Sequence, residues 1–151
     1  MVTIRKATVK DLKQLGQFEQ GIVETERPFD STLKAGVIHY YDLSKFINAE
    51  DSILLVADDN GQILASGFAQ IRNAQDYLKH ERYSHLGFMF VLPAFRGKGL
   101  NKMILDELMS WSRSQNVSEI RLEVYADNGI AKRAYEKAGF KPHILEMRRT
   151  V

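Results

Sequence analysis

The alternation of apolar and polar residues predicts four strands in the first part of the chain. They cover residues 2–7, 52–57, 63–71 and 86–91. The dipeptide Asn60-Gly61 separates the second strand from the third. It favours a two-residue hairpin turn, because Asn and Gly tolerate the positive φ angles of that turn. The last three of these strands are therefore expected to pair in an antiparallel sheet.

Two helices are expected between the first two strands. Thr8 followed by Asp11 has the capping-box pattern of a helix start, and the apolar stripe continues to Val23. A proline-containing loop is expected over residues 24–30. Ser31 then has the side chain of an N-cap, and the second helical pattern runs through Val37, Tyr41, Ser44 and Phe46.

The second half of the chain predicts two further helices, each followed by a strand. The first helix has apolar residues on one face at Leu100, Met103, Ile104, Leu108 and Trp111. Residues 119–125 alternate like a strand, and the next helix ends at Gly139, the residue type that most often ends a helix. Alternation over residues 144–148 predicts one last strand.

This order of elements predicts the fold class. One strand, two helices, three antiparallel strands and then helix, strand, helix, strand give an α/β fold with a mixed, largely antiparallel central sheet and flanking helices. No internal repeat, linker or low-complexity segment interrupts the chain. Residues 1–151 are therefore expected to form a single domain, and 44% hydrophobic residues are enough for one core.

Composition and charge exclude several classes of protein. The net charge is only +2 with no long basic run, which argues against nucleic acid as a partner. Without cysteine, the chain has neither a disulfide framework nor a thiolate nucleophile. His39, His80 and His143 have no carboxylate pair at close spacing, so no metal site is expected. With no signal peptide and no long apolar run, the expectation is a cytoplasmic protein with no membrane partner.

The segment Arg96-Gly97-Lys98-Gly99 connects an apolar strand to a helix and has the features of an anion-binding turn. The first N–H groups of a helix lack internal partners, and the peptide dipoles favour negative charge there. The turn matches neither the nucleoside-triphosphate loop nor the dinucleotide fingerprint, since both need further residues at fixed offsets. On its own, it is equally consistent with an ordinary strand-to-helix connection.

A second segment makes the turn more informative. Asn128 and Tyr135 are seven residues apart, and so lie on one face of a helix that ends in Gly139-Phe140. The two segments together resemble the GCN5-related N-acetyltransferase (GNAT) superfamily, whose motifs are Arg/Gln-x-x-Gly-x-Gly/Ala and Asn…Tyr-Glu-x-x-Gly-Phe. The resemblance is strong over residues 85–142 and agrees with the order of elements over the whole chain.

The resemblance implies a GNAT-like acyl-CoA N-acyltransferase fold and acetyl-CoA as cosubstrate, without a metal. It implies that a bulge splays the strand before the turn, and that the backbone of Met89, Phe90 and Val91 faces the pantetheine arm. It implies that the pyrophosphate and the rest of the cofactor contact Arg96, Gly97, Lys98, Gly99, Leu100, Asn101 and Asn128. Asn101 departs from the pattern, which has Gly or Ala there.

Acetyl transfer to an amine needs a neutral nucleophile, a polarised thioester carbonyl and a proton for the departing thiolate. Tyr135 is the natural proton donor, because a phenol with a pKa of about 10 stays protonated at neutral pH. For the base, the resemblance implies Glu123 or His85, each at a position where some relatives have a glutamate. A water chain without a single essential base is a third option.

The resemblance implies an N-acetyltransferase that transfers acetyl from acetyl-CoA to a primary amine by direct attack in a ternary complex. The sequence does not decide whether the acceptor amine belongs to a small molecule or to a peptide. It also does not decide whether the protein forms a homodimer. Glu24, Glu26 and Asp30 are in the segment expected near the acceptor, where they either attract a cationic amine or are simply solvated. A non-catalytic acyl-CoA-binding module is the alternative, and a general α/β nucleotide-binding domain is a weaker one.

Overall fold

The computed structural model describes all 151 residues and has a five-stranded sheet in the order β1-β2-β3-β4-β5. The strands are β1 Val2–Lys6, β2 Ser52–Asp59, β3 Gln62–Asn73, β4 Arg82–Val91 and β5 Ile120–Arg121. All neighbours are antiparallel except β4 and β5, which are parallel. Asn60 and Gly61 both have positive φ angles in the β2–β3 turn, so the expected hairpin is confirmed.

Four α-helices flank the sheet. They are α1 Leu12–Glu26, α2 Leu43–Asn48, α3 Leu100–Ser114 and α4 Gly129–Lys137, and short 3-10 turns cover Val9–Asp11, Arg27–Phe29 and Pro93–Phe95. The predicted start of the first helix is confirmed, because the Asp11 carboxylate accepts a hydrogen bond from the Thr8 N–H at 2.8 Å. None of the helices has the length and apolar character needed to cross a membrane.

The sheet has a separate hydrophobic core on each face. Helix α3 packs its buried residues on one face, among them Ile104 and Leu108 with no exposed surface. On the other face, Leu15 and Phe18 of α1 pack with Phe68 of β3 and with α2. Because β2 and β3 are covered on both faces, their central residues are apolar without alternation.

Helix α1 has one polar residue within its apolar stripe. Glu19 is only 1% exposed, and its carboxylate accepts hydrogen bonds from the backbone N–H groups of Tyr40 and Tyr41, each at 3.0 Å. A buried carboxylate costs free energy unless it is hydrogen-bonded, so these contacts fix the segment after α1 against the helix.

Strand β4 has a bulge at Phe88. Ser66 of β3 is opposite Phe90 and Phe68 is opposite Gly87, so β4 has one residue more than β3 between these pairs. Phe88 has a φ angle of 55°, and its carbonyl accepts a buried hydrogen bond of 3.0 Å from the Ser66 hydroxyl. The bulge changes the direction of the strand just before the glycine turn.

Two predictions between β1 and β2 were wrong. The segment expected to be a loop over residues 24–30 is largely helical, since α1 continues to Glu26 and a 3-10 turn follows. No helix begins at Ser31, and α2 starts only at Leu43. The reason is tertiary, because the backbone N–H groups that a helix would use near Tyr40 are bonded to Glu19 instead.

Two predictions in the C-terminal part also need correction. Strand β5 has two residues rather than the seven of residues 119–125, and residues 144–148 form no strand. Pairing with β4 stops at Arg121, and the sheet ends at this two-residue strand. Arg148 instead donates hydrogen bonds to Asp30 and Thr32.

Candidate active site

Pairing between β4 and β5 stops after two residue pairs, and we call the space beside the open edge of β4 the cleft. The two strands pair only at Ser84 with Ile120 and at His85 with Arg121. From Leu86 onward, β4 is paired on its β3 side alone. A strand edge without a neighbouring strand offers N–H and C=O groups to another molecule.

The backbone of β4 faces this cleft after the bulge. The Leu92 N–H donates to the Leu64 carbonyl of β3 at 2.9 Å, and alternation along the strand directs the polar groups of Val91 away from β3. The Val91 carbonyl indeed accepts a hydrogen bond from Arg96 Nε at 3.2 Å. Met89 is two residues earlier, and the same alternation predicts that its N–H is also directed away from β3.

The glycine turn that follows β4 has the conformation of an anion site. Gly97 and Gly99 have φ angles of 76° and 80°, in the region that L side chains avoid, and a Cβ atom on either would meet no atom within 4 Å. The space beside the backbone is therefore open. Gly99 is the N-cap of α3 and has no side chain to satisfy the first N–H groups of the helix.

Basic side chains surround the turn. Arg96 lies 5.9 Å from the ring centre of Phe90, and Lys98 lies 5.2 Å from that of Phe95. Leu100 is buried under the turn in the α3 core, whereas Asn101 is half-buried in the first turn of the helix. The backbone N–H groups, the helix dipole and two cations thus meet at one place, which suits a phosphate group.

The second predicted motif forms both ends of α4. The Asn128 side-chain oxygen accepts a hydrogen bond from the Ala131 N–H at 3.2 Å, so Asn128 is the N-cap. At the other end, Gly139 has a φ angle of 98°, and the Phe140 N–H donates to the Tyr135 carbonyl at 3.0 Å. These contacts form a Schellman motif, completed by an edge-to-face contact of Tyr135 and Phe140 with ring centres 6.0 Å apart.

Tyr135 is half-buried beside the α3 core, on the same side as the Met89 and Val91 side chains. Burial raises the pKa of its hydroxyl to about 12. No hydrogen bond to the rest of the chain accompanies this shift, so the phenol stays protonated and is free to donate.

His85 lies on the face of the sheet that α1 covers, with its ring centre 6.1 Å from that of Phe68, and Glu123 follows β5, the strand beside it. Burial lowers the pKa of His85, the positive charge of Arg72 lowers it further, and the negative charge of Glu123 raises it. His85 is therefore neutral at pH 7 and has a lone pair to offer. It pairs with Gln70 of β3, which lines a pocket of about 340 Å³ together with Tyr41 and Phe46.

The acidic residues of the expected acceptor segment differ in their surroundings. Glu24 is 68% exposed and forms an ion pair with Arg27 at 2.8 Å. The side chain of Asp30 is 11% exposed and accepts hydrogen bonds from Arg148 at 3.2 Å and from the Tyr125 hydroxyl at 3.2 Å. Glu26 is half-buried and has no ion-pair partner.

Sequence reasoning missed three groups of this region. Glu19 had a visible signal, since a charged residue within an apolar stripe must be buried with partners. No signal in the sequence indicates the hydroxyl groups of Ser66 and Tyr40. The role of Ser66 depends on the bulge in β4, and that of Tyr40 depends on the fold of the segment after α1. No group of three or more His, Asp and Glu side chains in the chain is arranged to hold a metal ion.

Comparison with known proteins places this geometry in a described family. The model of the "Acetyltransferase (GNAT) family" matches residues 20–140. An aminoglycoside N(6')-acetyltransferase type 1 from Stenotrophomonas maltophilia is 24% identical over 143 residues, covering 92% of this chain and 86% of that protein.

Solved structures show the same fold. A predicted acetyltransferase from Clostridium acetobutylicum, determined with acetyl-CoA, has a TM-score of 0.74 at 22% identity and covers 98% of this chain and 96% of its own. An aminoglycoside N-acetyltransferase in complex with the bisubstrate analogue CoA-S-monomethyl-acetylneamine has a TM-score of 0.74 at 18% identity. The match covers 100% of this chain and 99% of that protein.

We predict that Gly99→Val abolishes specific binding of acetyl-CoA. A β-branched residue at this φ angle strains the turn by about 1–3 kcal/mol and fills the open space next to the backbone. Gly61→Val is the matched control, because Gly61 also has a positive φ angle with open space but lies in the distant β2–β3 turn. Calorimetric titration should show lost affinity for Gly99→Val alone, whereas both variants lose stability. Equal affinity for wild type and folded Gly99→Val would place the cofactor elsewhere.

Proposed function

The chain belongs to the acetyltransferase (GNAT) family and is an acetyl-CoA-dependent N-acetyltransferase, and we propose that it acetylates a primary amine of a small molecule by direct attack in a ternary complex. The observation that carries the proposal is the open edge of β4, where pairing with β5 stops at His85 and a bulge at Phe88 precedes the glycine turn. In this proposal residues 1–151 act as one domain.

The proposed cofactor contacts follow from the geometry of the cleft. The N–H groups of residues 97–101 and the cations Arg96 and Lys98 would hold the pyrophosphate. The backbone of Met89, Phe90 and Val91 would bind the pantetheine arm as an added strand. The Asn128 side chain uses its oxygen as a helix cap, so its amide NH₂ is the group available to the cofactor.

Two groups of the chain would act on the reacting atoms. The Met89 N–H would polarise the thioester carbonyl and stabilise the negative charge that develops on its oxygen when the amine attacks. Tyr135 would then donate its proton, or a strong hydrogen bond, to the departing thiolate of CoA. Its hydroxyl is suited to this role because burial keeps it protonated and no other group in the chain competes for it.

A proton must also leave the acceptor, since an ammonium ion has no lone pair for attack. We propose His85 as the base, with Glu123 as the alternative. His85 is half-buried at the start of the cleft and neutral at pH 7, whereas Glu123 is exposed and acts on His85 through its charge. Water would relay the proton if the acceptor nitrogen lies beyond direct reach.

The curated relative is an aminoglycoside N(6')-acetyltransferase, and its similarity over 92% of the chain supports a small-molecule amine as acceptor. Release of free thiol from acetyl-CoA across a panel of amines tests the proposal directly. We expect thiol release that depends on both substrates and an N-acetylated product identified by mass spectrometry. Tight binding of acetyl-CoA without acetylation of any amine would favour a non-catalytic acyl-CoA-binding module.

We predict that Tyr135→Phe lowers kcat and leaves the affinity for acetyl-CoA nearly unchanged. The substitution removes only the hydroxyl, and general acid catalysis is typically worth ~10²–10⁴ in rate, or about 3–5 kcal/mol of barrier. The defect should shrink with a thioester of a more acidic thiol, which needs less protonation. Tyr77→Phe, at an 83% exposed position, is the control. Full turnover by Tyr135→Phe would leave water as the proton donor.

We predict that the acidic limb of the pH–rate profile lies below the ordinary histidine pKa of about 6.5. The neutral form of His85 is the base, and its lowered pKa extends that form to lower pH. Glu123→Gln removes a charge that raises the pKa of His85, so the limb should move to still lower pH. His85→Gln should remove the limb.

The same profiles distinguish the alternatives. Glu123 would be the base if Glu123→Gln lost the acidic limb of the profile while His85→Gln remained active and kept it. An unchanged profile in both variants would mean that the amine reacts after losing its proton in solution. In that case the rate would rise with pH toward the amine pKa of about 10.4.

A further inference from the structure

Strand β3 has a buried serine beside the bulge in β4. Ser66 is only 1% exposed, and its hydroxyl donates a hydrogen bond of 3.0 Å to the Phe88 carbonyl. The neighbouring residues of β3 are apolar and buried, so the hydroxyl is the exception in this part of the core. A buried hydroxyl costs free energy unless it is paired, and the one hydrogen bond of this side chain goes to the bulge.

This contact fixes the direction of the next N–H group. The Phe88 carbonyl and the Met89 N–H belong to one peptide unit, and every peptide bond in the chain is trans. In a planar trans peptide, the C=O and N–H bonds point in opposite directions. Because Ser66 holds the carbonyl, the Met89 N–H points away from Ser66 and from β3. On that side, β4 has no strand partner after His85.

The two side chains that flank this peptide are packed on opposite faces of the sheet. The Phe88 ring meets the Tyr41 ring edge-on, with ring centres 5.6 Å apart, on the face that α1 covers. The Met89 sulfur lies 2.6 Å from the place where a Cβ atom on Gly67 would be, on the face of α3. A side chain at Gly67 would therefore displace Met89. The peptide is held at both of its ends as well as at its carbonyl.

The hydrogen bond from Ser66 also strengthens the donor that it orients. A donor at the carbonyl end of a peptide polarises the whole unit, and hydrogen bonds in a chain strengthen one another by about 10–30% per bond. The Ser66 hydroxyl, the peptide of Phe88 and Met89 and a carbonyl oxygen of the cosubstrate would form such a chain. Because the first contact is buried, this polarisation is greater than it would be in water.

We propose that Ser66 is a positioning residue of the acetyl transfer, which orients and polarises the Met89 N–H so that this group binds the thioester carbonyl oxygen. Ser66 touches neither substrate and acts only through the peptide of Phe88 and Met89. The donor is then in place before acetyl-CoA binds, and the strand needs no reorganisation when negative charge develops on the oxygen. The inference rests on the proposed function, in which the Met89 N–H polarises the thioester.

The carbonyl stretch of bound acetyl-CoA measures this polarisation. Difference infrared spectra, recorded without acceptor and with either unlabelled or isotopically labelled carbonyl carbon, separate the thioester band from the amide bands of the protein. We expect the band in the wild-type protein to lie at lower frequency than in water, because the N–H donor weakens the C=O bond. In Ser66→Ala, the band should move back toward its position in water.

Kinetics and stability separate positioning from simple packing. Removal of a whole oxyanion donor costs about 10²–10³ in kcat, so Ser66→Ala, which only misdirects and weakens the donor, should lower kcat about tenfold to a hundredfold. The affinity for acetyl-CoA should remain nearly unchanged. Ser112→Ala is the matched control, because Ser112 is also buried and its hydroxyl donates to the Leu108 carbonyl at 2.8 Å within α3. Ser112→Ala should lose similar thermal stability and retain the wild-type kcat and carbonyl band.

Two further variants keep the test decisive if Ser66→Ala is too unstable to purify. Ser66→Cys is close in shape but has only a weak S–H donor, so it should show the same changes in kcat and in the band. Ser66→Thr retains the hydroxyl and should keep the wild-type band and most of the activity. A carbonyl band at the wild-type frequency in Ser66→Ala or in Ser66→Cys would overturn the inference, and Ser66 would then only stabilise the bulge.

The outcomes also distinguish this inference from the function on which it rests. A shifted carbonyl band that depends on the Ser66 hydroxyl, without acetylation of any amine, would support the inference and contradict the proposed function. Acetylation of an amine by a wild-type protein whose carbonyl band matches that of acetyl-CoA in water would support the function and overturn the inference.

Discussion

The bulge at Phe88 is the constraint on which the site depends. One extra residue in β4 shifts the alternation of the strand, so that the polar groups of Val91 are directed away from β3 and the same is expected of Met89. A positive φ angle at a phenylalanine is unfavourable, and the buried hydrogen bond from Ser66 to the Phe88 carbonyl helps to stabilise it. Without the bulge, the N–H groups proposed to act on the thioester would point elsewhere.

The groups proposed to act on the two substrates lie on opposite faces of the sheet. The N-terminus of α3, with Arg96 and Lys98 in the turn before it, has the features of a phosphate site. In the proposed mechanism, Tyr135 acts as a protonated phenol beside the α3 core, and His85 acts as a neutral base on the face that α1 covers, where its ring centre lies 6.1 Å from that of Phe68. In this proposal, the two substrates approach β4 from different faces of the sheet.

Local sequence signals predicted the parts of the fold that local chemistry determines. The Asn60-Gly61 hairpin, the cap at Asp11 and both ends of α4 each depend on residues a few positions apart, and all are confirmed. The segment after α1 was mispredicted as a helix, because the backbone N–H groups of Tyr40 and Tyr41 donate to the buried carboxylate of Glu19, which lies 21 and 22 residues earlier in the chain. The bulge and the unpaired Tyr40 hydroxyl likewise arise from contacts between distant segments, and no pattern in the sequence indicates them.

A crystal structure of the protein with acetyl-CoA would test directly whether the bulged strand and the glycine turn together hold the cosubstrate. We expect the thioester carbonyl oxygen within about 3 Å of the Met89 nitrogen, with the pyrophosphate on the N–H groups of residues 97–101. We also expect the pantetheine arm to occupy the β4–β5 cleft. Acetyl-CoA bound away from the glycine turn, or a Met89 N–H bonded within the sheet, would show that the cosubstrate is held in another way.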